Sequence, residues 1–211
     1  MKVLLGTTNP SKVKRFSDLL KGYEIEFVTL RDLAITDEPE EAGVTPEENA
    51  VLKAKFYGRY FDVVICNDSG LYFEELALDD MHQPGLNIRT PMQMDRLSDE
   101  EMIDYYSKLV GELGGKVSAY YLDGIAVYNH GKIYSFMDAD AARKIGAFYM
   151  IEKVSEKRFE GWPLDSLSIN KENGKYFVDG SIDESKENII KDQYERSVVD
   201  FLVTSLNAVA K

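Results

Sequence analysis

The order of the predicted elements indicates an α/β protein. Short apolar runs typical of buried strands cover residues 2–6 and 63–66, and residues 24–30 alternate as a strand does. Two helical patterns, beginning at Pro10 and Pro46, lie between these strands. Such alternation of strand and helix is typical of α/β folds, in which ligands collect beyond the carboxyl ends of the strands. The first half of the chain therefore predicts both a fold class and the end of the sheet where a site is expected.

Both early helices carry recognisable start signals. Asn9-Pro10-Ser11 is typical of a helix start with proline near the first helical position, and Gly22 lies where that helix is expected to stop. Thr45-Pro46-Glu47-Glu48 predicts a capping box, with Thr45 as the N-cap and Glu48 reaching back, for a helix running to about Tyr60. The strand that follows, Val63 to Cys66, is expected to deliver Asn67 and Asp68 at its carboxyl end.

The second half predicts further elements of both kinds. A helix is expected from Ser98, its cap, to Val110, and a β-hairpin is expected to turn at Asn129-His130-Gly131. The remaining predictions are hairpin strands over 116–128 and 132–137, a strand over 147–154, a turn over 171–174 and a helix over 184–210. A length of 211 residues suits one substantial core, so we predict a single domain over 1–211.

Composition excludes several classes of function. The formal net charge of −12 disfavours binding to nucleic acid or to anionic membranes, and no apolar run is long enough to cross a bilayer. Cys66 is the only cysteine, so no internal disulfide is possible and a cytoplasmic location is expected. With only two histidines a histidine-rich zinc site is hard to build, so Mg²⁺, or else Mn²⁺, is the expected metal.

Three short polar segments stand out as candidate functional sites: residues 6–12, 41–53 and 67–71. The first places Lys12 six residues after Gly6, at a predicted strand-to-helix turn where free amides and the helix dipole favour an anion. It lacks the second glycine of a P-loop, since Ser11 stands there. Carboxylates in the other two segments suit a hard cation, so the three together predict a site for a metal-bound polyphosphate.

Each segment also has a plainer interpretation. Asn9 can cap its helix while Lys12 stays in water, and Lys53, which lies among apolar neighbours, can extend from the core face to solvent. Asp68 can make an Asx-turn where a strand ends.

The three segments together resemble the inosine/xanthosine triphosphate pyrophosphatase family. The resemblance rests on Thr7-Thr8-Asn9 with Lys12, on an acidic residue followed by Ser69, Gly70 and Leu71, and on Pro84-Gly85 with Arg89. It also rests on a spaced motif matched by Glu41, Gly43, Thr45, Asn49, Ala50, Lys53 and Ala54. Three motifs in the right order cover roughly the first ninety residues.

The second half departs from the family pattern. The family's purine-holding segment is echoed by Gly161 to Asp165, with Trp162 and Asp165 at the aromatic and acidic positions and Pro163 in place of a glycine. Core packing is an equal alternative for Trp162. The family's Ser-His-Arg becomes Tyr194-Glu195-Arg196, with Lys186 upstream as the candidate lysine, and the first residue of the acidic pair is Asn67.

The resemblance implies an elongated, twisted mixed sheet with flanking helices, two lobes around a central cleft, and a homodimer. It implies Mg-dependent hydrolysis of a non-standard purine nucleoside triphosphate to the monophosphate and pyrophosphate, with Asp68 as the catalytic residue and Glu41 and Asp68 as metal ligands. The substrate-binding residues it implies are Thr8, Asn9, Lys12, Lys53, Ser69, Gly70, Trp162, Asp165, Lys186 and Arg196. The alternatives are a pyrophosphatase of different base preference and a catalytically weak nucleotide-binding or sensing protein.

Overall fold

A computed structural model describes residues 1–159, 161–179 and 189–210. The strands are β1 (Lys2–Leu5), β2 (Glu26–Thr29), β3 (Val63–Phe73), β4 (Lys116–Asn129), β5 (Lys132–Phe136), β6 (Phe148–Ile151) and β7 (Ser168–Ile169). The helices are α1 (Pro10–Leu19), α2 (Pro46–Tyr57), α3 (Asp99–Glu112), α4 (Ala139–Gly146) and α5 (Ile189–Leu206). Short 3₁₀ turns cover Pro91–Gln93, Pro163–Ser166 and Phe177–Asp179.

The strands form a seven-stranded mixed sheet in the order β2-β1-β3-β4-β6-β7, with β5 paired to β4. β1 runs parallel to both β2 and β3, whereas β4 is antiparallel to β5 and β6, and β6 is antiparallel to β7. The α/β class and the mixed sheet with flanking helices are thereby confirmed.

By their internal contacts the described residues form two compact units. Unit 1 comprises 1–69, 123–139 and 189–210, and unit 2 comprises the described parts of 70–122 and 140–188. β3 and β4 each contribute residues to both units.

The core of unit 1 covers both faces of its strands. On one face Val3, Leu5 and Ile65 pack with α1 and α5, and on the other Leu4 and Val64 pack with α2. Alternate residues of β1 therefore enter different clusters, as the two-residue period of a strand requires. This arrangement places α1 and α5 on the opposite side of the sheet from α2.

The core of unit 2 is a separate cluster. Buried residues of α3, including Tyr106, pack against Val117 and Ala119 of β4 and against Phe148 and Met150 of β6. α3 begins as predicted, because Ser98 and Glu101 form a reciprocal capping box.

The two early helices begin at the predicted residues. The Asn9 side chain accepts from the Ser11 N–H, and the Thr45 hydroxyl accepts from the Glu48 N–H. The predicted return contact differs, because the Glu48 carboxylate accepts from the Val44 N–H, one residue before the cap. α2 also ends at Tyr57 rather than near Tyr60.

The predicted hairpin and its neighbours are also observed. Asn129 pairs with Lys132 across a two-residue turn in which His130 and Gly131 both have positive φ, and this is the twist that tight hairpins favour. A turn lies at 171–173, with Gly174 at positive φ. The predicted strand over 147–154 is shorter, at Phe148–Ile151.

One prediction about β3 was wrong. Asn67, Asp68, Ser69 and Gly70 do not leave the sheet at a turn, because the strand continues through them to Phe73. The Asp68 and Ser69 side chains find partners on α2 and β4, and the backbone remains in the sheet where the sequence suggests an exit.

The C-terminal helix is described from Ile189 to Leu206, and the earlier part of the predicted 184–210 helix lies outside the described residues. α4 was not predicted from the sequence. Among the helices of the described chain, none is long and apolar enough to cross a membrane.

Candidate functional site

Lys53 is the centre of a charged cluster in unit 1. Its ammonium nitrogen lies 2.8 Å from Glu41 Oε1 and 2.8 Å from Asp68 Oδ1. Lys53 sits on α2, Glu41 in the loop before that helix, and Asp68 on β3. Burial acts to lower the pKa of Lys53, but the two carboxylates outweigh it and hold the pKa above its ordinary value. Lys53 is therefore a charged, partnered residue and not a side chain that merely extends to solvent.

Asp68 is held by partners on both of its oxygens. Oδ1 accepts from Lys53, and Oδ2 accepts from the Asn49 side-chain amide at 3.0 Å. Asn49 Oδ1 in turn accepts from the Gly43 N–H at 2.8 Å. A Cβ on Gly43 would lie 2.6 Å from that oxygen, so glycine is needed for the loop to approach α2. Asn49 thus links the loop near Glu41 to the strand that carries Asp68.

Lys12 supplies a second cation near this cluster. Its ammonium donates to the Asn67 carbonyl oxygen at 3.4 Å. Burial lowers the pKa of Lys12, and Lys53 lowers it further, whereas Asp68, Asp123 and Glu41 act against that shift. No carboxylate among the described residues lies within ion-pair distance of Lys12, so the three early segments converge while leaving this ammonium available.

The start of α1 is organised by its cap. Asn9 uses its side-chain oxygen to accept from Ser11 N–H, and its own N–H donates to the Thr7 hydroxyl at 3.1 Å. Thr8 and Asn9 are exposed beside this helix start. Asn9 therefore acts as a structural cap, and its side-chain amide hydrogens are the part that remains for a ligand.

Gly6 is required by close packing at the end of β1. A Cβ there would lie 2.4 Å from Cys66 Sγ and 2.8 Å from the Tyr57 ring. Burial raises the pKa of the Cys66 thiol and that of the Tyr57 hydroxyl, each to about 12, so both stay protonated at neutral pH. The first segment thus depends on glycine for packing as well as for its turn.

A second polar cluster was missed in the sequence. The Ser69 hydroxyl donates to Asp123 Oδ1 at 2.6 Å, and the other Asp123 oxygen is ion-paired with Arg15. The Arg15 guanidinium also donates to the Tyr194 hydroxyl. Asp123 lies in an apolar stretch of β4 with no recognisable motif, and its only sequence signal is a lone carboxylate in a strand otherwise expected to be buried.

Asn67 has an unusual environment. Its side chain is 3% exposed, and its carboxamide oxygen has no hydrogen-bond partner among the described residues. Its amide nitrogen makes only long contacts, of 3.5 Å, to the Asp68 carbonyl and the Ser69 hydroxyl. A buried acceptor without a partner is costly, so this oxygen is a further candidate ligand-binding atom beside Asp68.

Gly70, Trp162 and Asp165 belong to unit 2. A Cβ on Gly70 would lie 2.7 Å from the Tyr72 ring and 3.0 Å from the Gly85 carbonyl oxygen, which accounts for glycine there. Trp162 is 49% exposed and therefore is not a core residue, which removes the packing alternative. Burial raises the pKa of Asp165 to about 6.

Arg196 and Arg89 are predicted residues that form no contact with the Lys53 cluster within the described part of the chain. Arg196 is exposed on α5 and makes no hydrogen bond or ion pair with that cluster among the described residues. Lys186 lies outside the described residues. Arg89 is ion-paired with Asp99 at 2.8 Å, and Asp99 also accepts from the Gly161 N–H, so Arg89 anchors the loop before Trp162.

The fold and the cluster define an α/β protein in which two lysines, a helix start and two carboxylates converge beside β3, an interior strand of a mixed sheet. The sequence profile of the Ham1 family matches residues 3–145. A dITP/XTP pyrophosphatase of Mannheimia succiniciproducens is 30% identical over 193 residues, covering 88% of this chain and 90% of the relative. The chain belongs to the Ham1 family.

Another relative is similar in sequence over a shorter stretch of the chain. A dITP/XTP pyrophosphatase of Thermoanaerobacter sp. (strain X514) is 42% identical over 87 residues, which is 41% of this chain and 42% of that protein's length.

Two solved Ham1 proteins have a similar fold. The protein of Coxiella burnetii is 19% identical with a TM-score of 0.71, and that of Staphylococcus aureus is 20% identical with a TM-score of 0.66. Each alignment covers 97% of this chain and 99% of the solved chain. At such identity the structures establish the shared fold.

Proposed function

We propose that this protein hydrolyses non-standard purine nucleoside triphosphates to the monophosphate and pyrophosphate. The observation that carries the proposal is the convergence of Lys12, Lys53, Glu41 and Asp68 in one unit, from three separate segments. Relatives named dITP/XTP pyrophosphatase support the reaction and the class of base.

The phosphate end of the substrate is assigned to the start of α1 and to the two lysines. Free N–H groups and the positive dipole end favour an anion there, and Thr8 and Asn9 lie exposed beside them. Lys12 has no carboxylate partner among the described residues, so its ammonium can meet a phosphate directly. Lys53 remains charged because two carboxylates flank it.

A magnesium ion fits the donor set of this cluster. Mg²⁺ is commonly held by one or two carboxylates together with substrate phosphates, and Glu41 and Asp68 already approach one cationic atom from two sides. No group of three or more His, Cys, Asp or Glu side chains suited to a metal occurs among the described residues, so phosphates would have to complete the coordination. When bound, the ion would neutralise phosphate charge and polarise the reacting phosphoryl group.

Asp68 is the proposed base. Its Oδ2 accepts from the neutral Asn49 amide, whereas Oδ1 carries the Lys53 contact. A water held at Oδ2 can transfer a proton there as its oxygen attacks the α-phosphorus and pyrophosphate leaves. Because an aspartate carboxylate is in general a weak base, positioning must supply more of the rate than basicity does.

The proposed contacts to the purine base are those that the family resemblance implies for Trp162 and Asp165. A half-exposed Trp162 offers an aromatic face for stacking, and Asp165, three residues later, offers an oxygen to a ring N–H. Ser69, Gly70, Lys186 and Arg196 keep their proposed substrate roles, with the Ser69 proton directed at Asp123. We further propose a homodimer that acts in the cytoplasm and does not bind nucleic acid, the last supported by the charge of −12.

The test is a substrate panel. ITP, XTP, dITP, the four standard ribonucleoside triphosphates and modified pyrimidine triphosphates are incubated with the protein, with magnesium or with a chelator, and pyrophosphate release is measured. We expect release from ITP, XTP and dITP with magnesium and little release with the chelator. Preferential release from a standard or pyrimidine triphosphate would overturn the base assignment, and equal release with the chelator would overturn the metal.

A catalytically weak nucleotide-binding protein is the second candidate, and the engagement of both Asp68 oxygens is the observation that favours it. In that case calorimetry shows magnesium-dependent ITP binding, while no triphosphate in the panel is hydrolysed.

A further inference from the structure

Two cations on α1 face very different partners. Lys12 and Arg15 are three residues apart, so they lie on the same side of the helix. Among the residues that the structure describes, Lys12 donates to a backbone carbonyl at 3.4 Å and to no carboxylate. Arg15 is ion-paired with Asp123 and donates to Tyr194, and the side chains of Arg15 and Asp123 are 32% and 23% exposed. One cation is therefore available to an anionic ligand and the other is neutralised.

Asp123 is held firmly where it neutralises Arg15. Its second oxygen accepts from the Ser69 hydroxyl, and Ser69 directly follows Asp68 in β3. The next residue in β4, Gly124, packs so closely on the start of α2 that a Cβ would lie 2.1 Å from the Glu47 nitrogen. β4 therefore has little freedom to move Asp123 away from Arg15.

We propose that Asp123 sets the charge and the donor pattern of the phosphate-binding site, by neutralising Arg15 and by accepting the hydrogen bond of the Ser69 hydroxyl, so that α1 presents Lys12 as its single free cation to the ligand. This inference rests on the proposed function, because it assumes that the Lys12–Lys53 cluster receives phosphates. It assigns to Asp123 a positioning role and not contact with the substrate.

The balance of charges around the site explains why a carboxylate such as Asp123 is needed beside Arg15. Around the site three cationic side chains face three anionic ones, namely Lys12, Lys53 and Arg15 against Glu41, Asp68 and Asp123. A site with one more free cation would bind polyphosphates more tightly, and the product pyrophosphate would leave more slowly. Because the Ser69 hydroxyl donates its hydrogen to Asp123, its oxygen can contact the bound substrate only as an acceptor.

The test measures binding of inorganic pyrophosphate by calorimetry, at a fixed magnesium concentration, to four variants. Asp123→Asn exposes the Arg15 charge and should bind pyrophosphate about tenfold more tightly. Arg15→Gln exposes the Asp123 charge and should bind about tenfold more weakly. The double variant should return to within about threefold of the wild type. Asp18→Asn, an exposed site on the same helix, makes the same charge change away from the site and should shift affinity less than about twofold.

The proposal predicts that pyrophosphate affinity changes in opposite directions in the two single variants. A merely structural role of Asp123 would not produce this result, because loss of packing would weaken binding in both variants. Shifts of the same sign, or none in either, overturn the role of Asp123. If Asp123→Asn does not fold, the affinities of Arg15→Gln and of the double variant decide whether Asp123 has this role. The double variant avoids the folding problem because removing Arg15 also removes the buried charge that Asp123→Asn leaves unpaired. If the wild type binds neither pyrophosphate nor ITP, the proposed function falls and this inference falls with it.

Discussion

At the scale of single residues, the proposed phosphate-binding site depends on Lys53 and on the two carboxylates, Glu41 and Asp68, that are ion-paired with it. The side chains of Lys53 and Asp68 are 14% and 13% exposed, so solvent screens this pair only weakly, whereas the Glu41 side chain is 50% exposed. The motif spacing could predict that these residues belong to one site. It could not predict that one ammonium bridges both carboxylates, because that depends on how a loop, a helix and a strand meet.

Replacing Asp68 by Asn should separate binding from turnover. The amide keeps the shape of the side chain but cannot accept a proton from water, so we expect turnover to fall by about 10² or more while ITP affinity measured by calorimetry changes little. Asp62→Asn, at an exposed position just before the other end of β3, serves as the control and should keep full activity. Undiminished turnover in the Asp68 variant would remove this residue from the chemistry.

Lys12 should make phosphate binding sensitive to alkaline pH. Because burial lowers its pKa from the ordinary value of 10.5, the ammonium loses its charge at a lower pH than an exposed lysine does. Pyrophosphate affinity should therefore weaken as pH rises through that lowered pKa. Lys12→Arg keeps its charge throughout and should remove this loss. A wild-type affinity that stays constant through the alkaline range would contradict the assignment.

Asp165 should make stability depend on mildly acidic pH. Its folded-state pKa is raised by burial to about 6, above the ordinary 3.8, so the folded state holds a proton that the unfolded state releases between these values. Stability should consequently fall as pH rises from about 4 to about 6. At pH 7, Asp165→Asn should raise the free energy of unfolding by ~1 kcal/mol after allowance for partial exposure, which corresponds to a rise in Tm of about 2–4 °C. Near pH 4 the Tm should be unchanged.

At the scale of elements, local signals predicted helix starts better than strand ends. Capping by Asn9, Thr45 and Ser98 depends on only a few neighbouring residues, and each helix begins where those residues indicate. The continuation of β3 through Asn67 to Gly70 could not be predicted this way. It depends on Asn49 and Asp123, which lie far from it in the sequence and supply the polar partners.

The contact between β4 and α2 gives a prediction at this scale. Gly124→Ala would place a methyl group 2.1 Å from the Glu47 nitrogen and 2.2 Å from the Pro46 carbonyl carbon, so strand or helix must move. We expect a loss of about 1–3 kcal/mol or more in the free energy of unfolding, together with weaker ITP binding. Gly22→Ala has no atom within 4 Å of the added carbon and is the matched control in the same unit. Equal melting temperatures for the two variants would contradict the packing argument.

At the scale of the whole molecule, a net charge of −12 surrounds a site built to accept an anion. Repulsion between distant charges is screened by salt, whereas the close contacts of Lys12 and Lys53 are screened less. Raising the ionic strength from about 20 to about 150 mM should therefore lower the KM for ITP or leave it flat, in contrast to a basic nucleotide-binding protein. A steep rise of KM over that range, at saturating magnesium, would show that long-range attraction dominates.

The sequence predicted the α/β class and the cluster of early motifs, because periodicity and short motifs are local properties. It missed Asp123 and Arg15, whose roles arise only when β4 is placed beside β3 and α1. The resemblance implied two lobes, but the positions at which the described chain divides into two compact units could not be predicted, since β3 and β4 both contribute to each unit and no linker marks a boundary.

The most direct test of the central claim is hydrolysis of ITP in oxygen-18 water, with the products analysed by mass spectrometry. Attack at the α-phosphorus by water held at Asp68 puts the heavy oxygen into the inosine monophosphate and leaves the pyrophosphate unlabelled. Label found in pyrophosphate or in inorganic phosphate, with the monophosphate unlabelled or replaced by a diphosphate, would contradict the account.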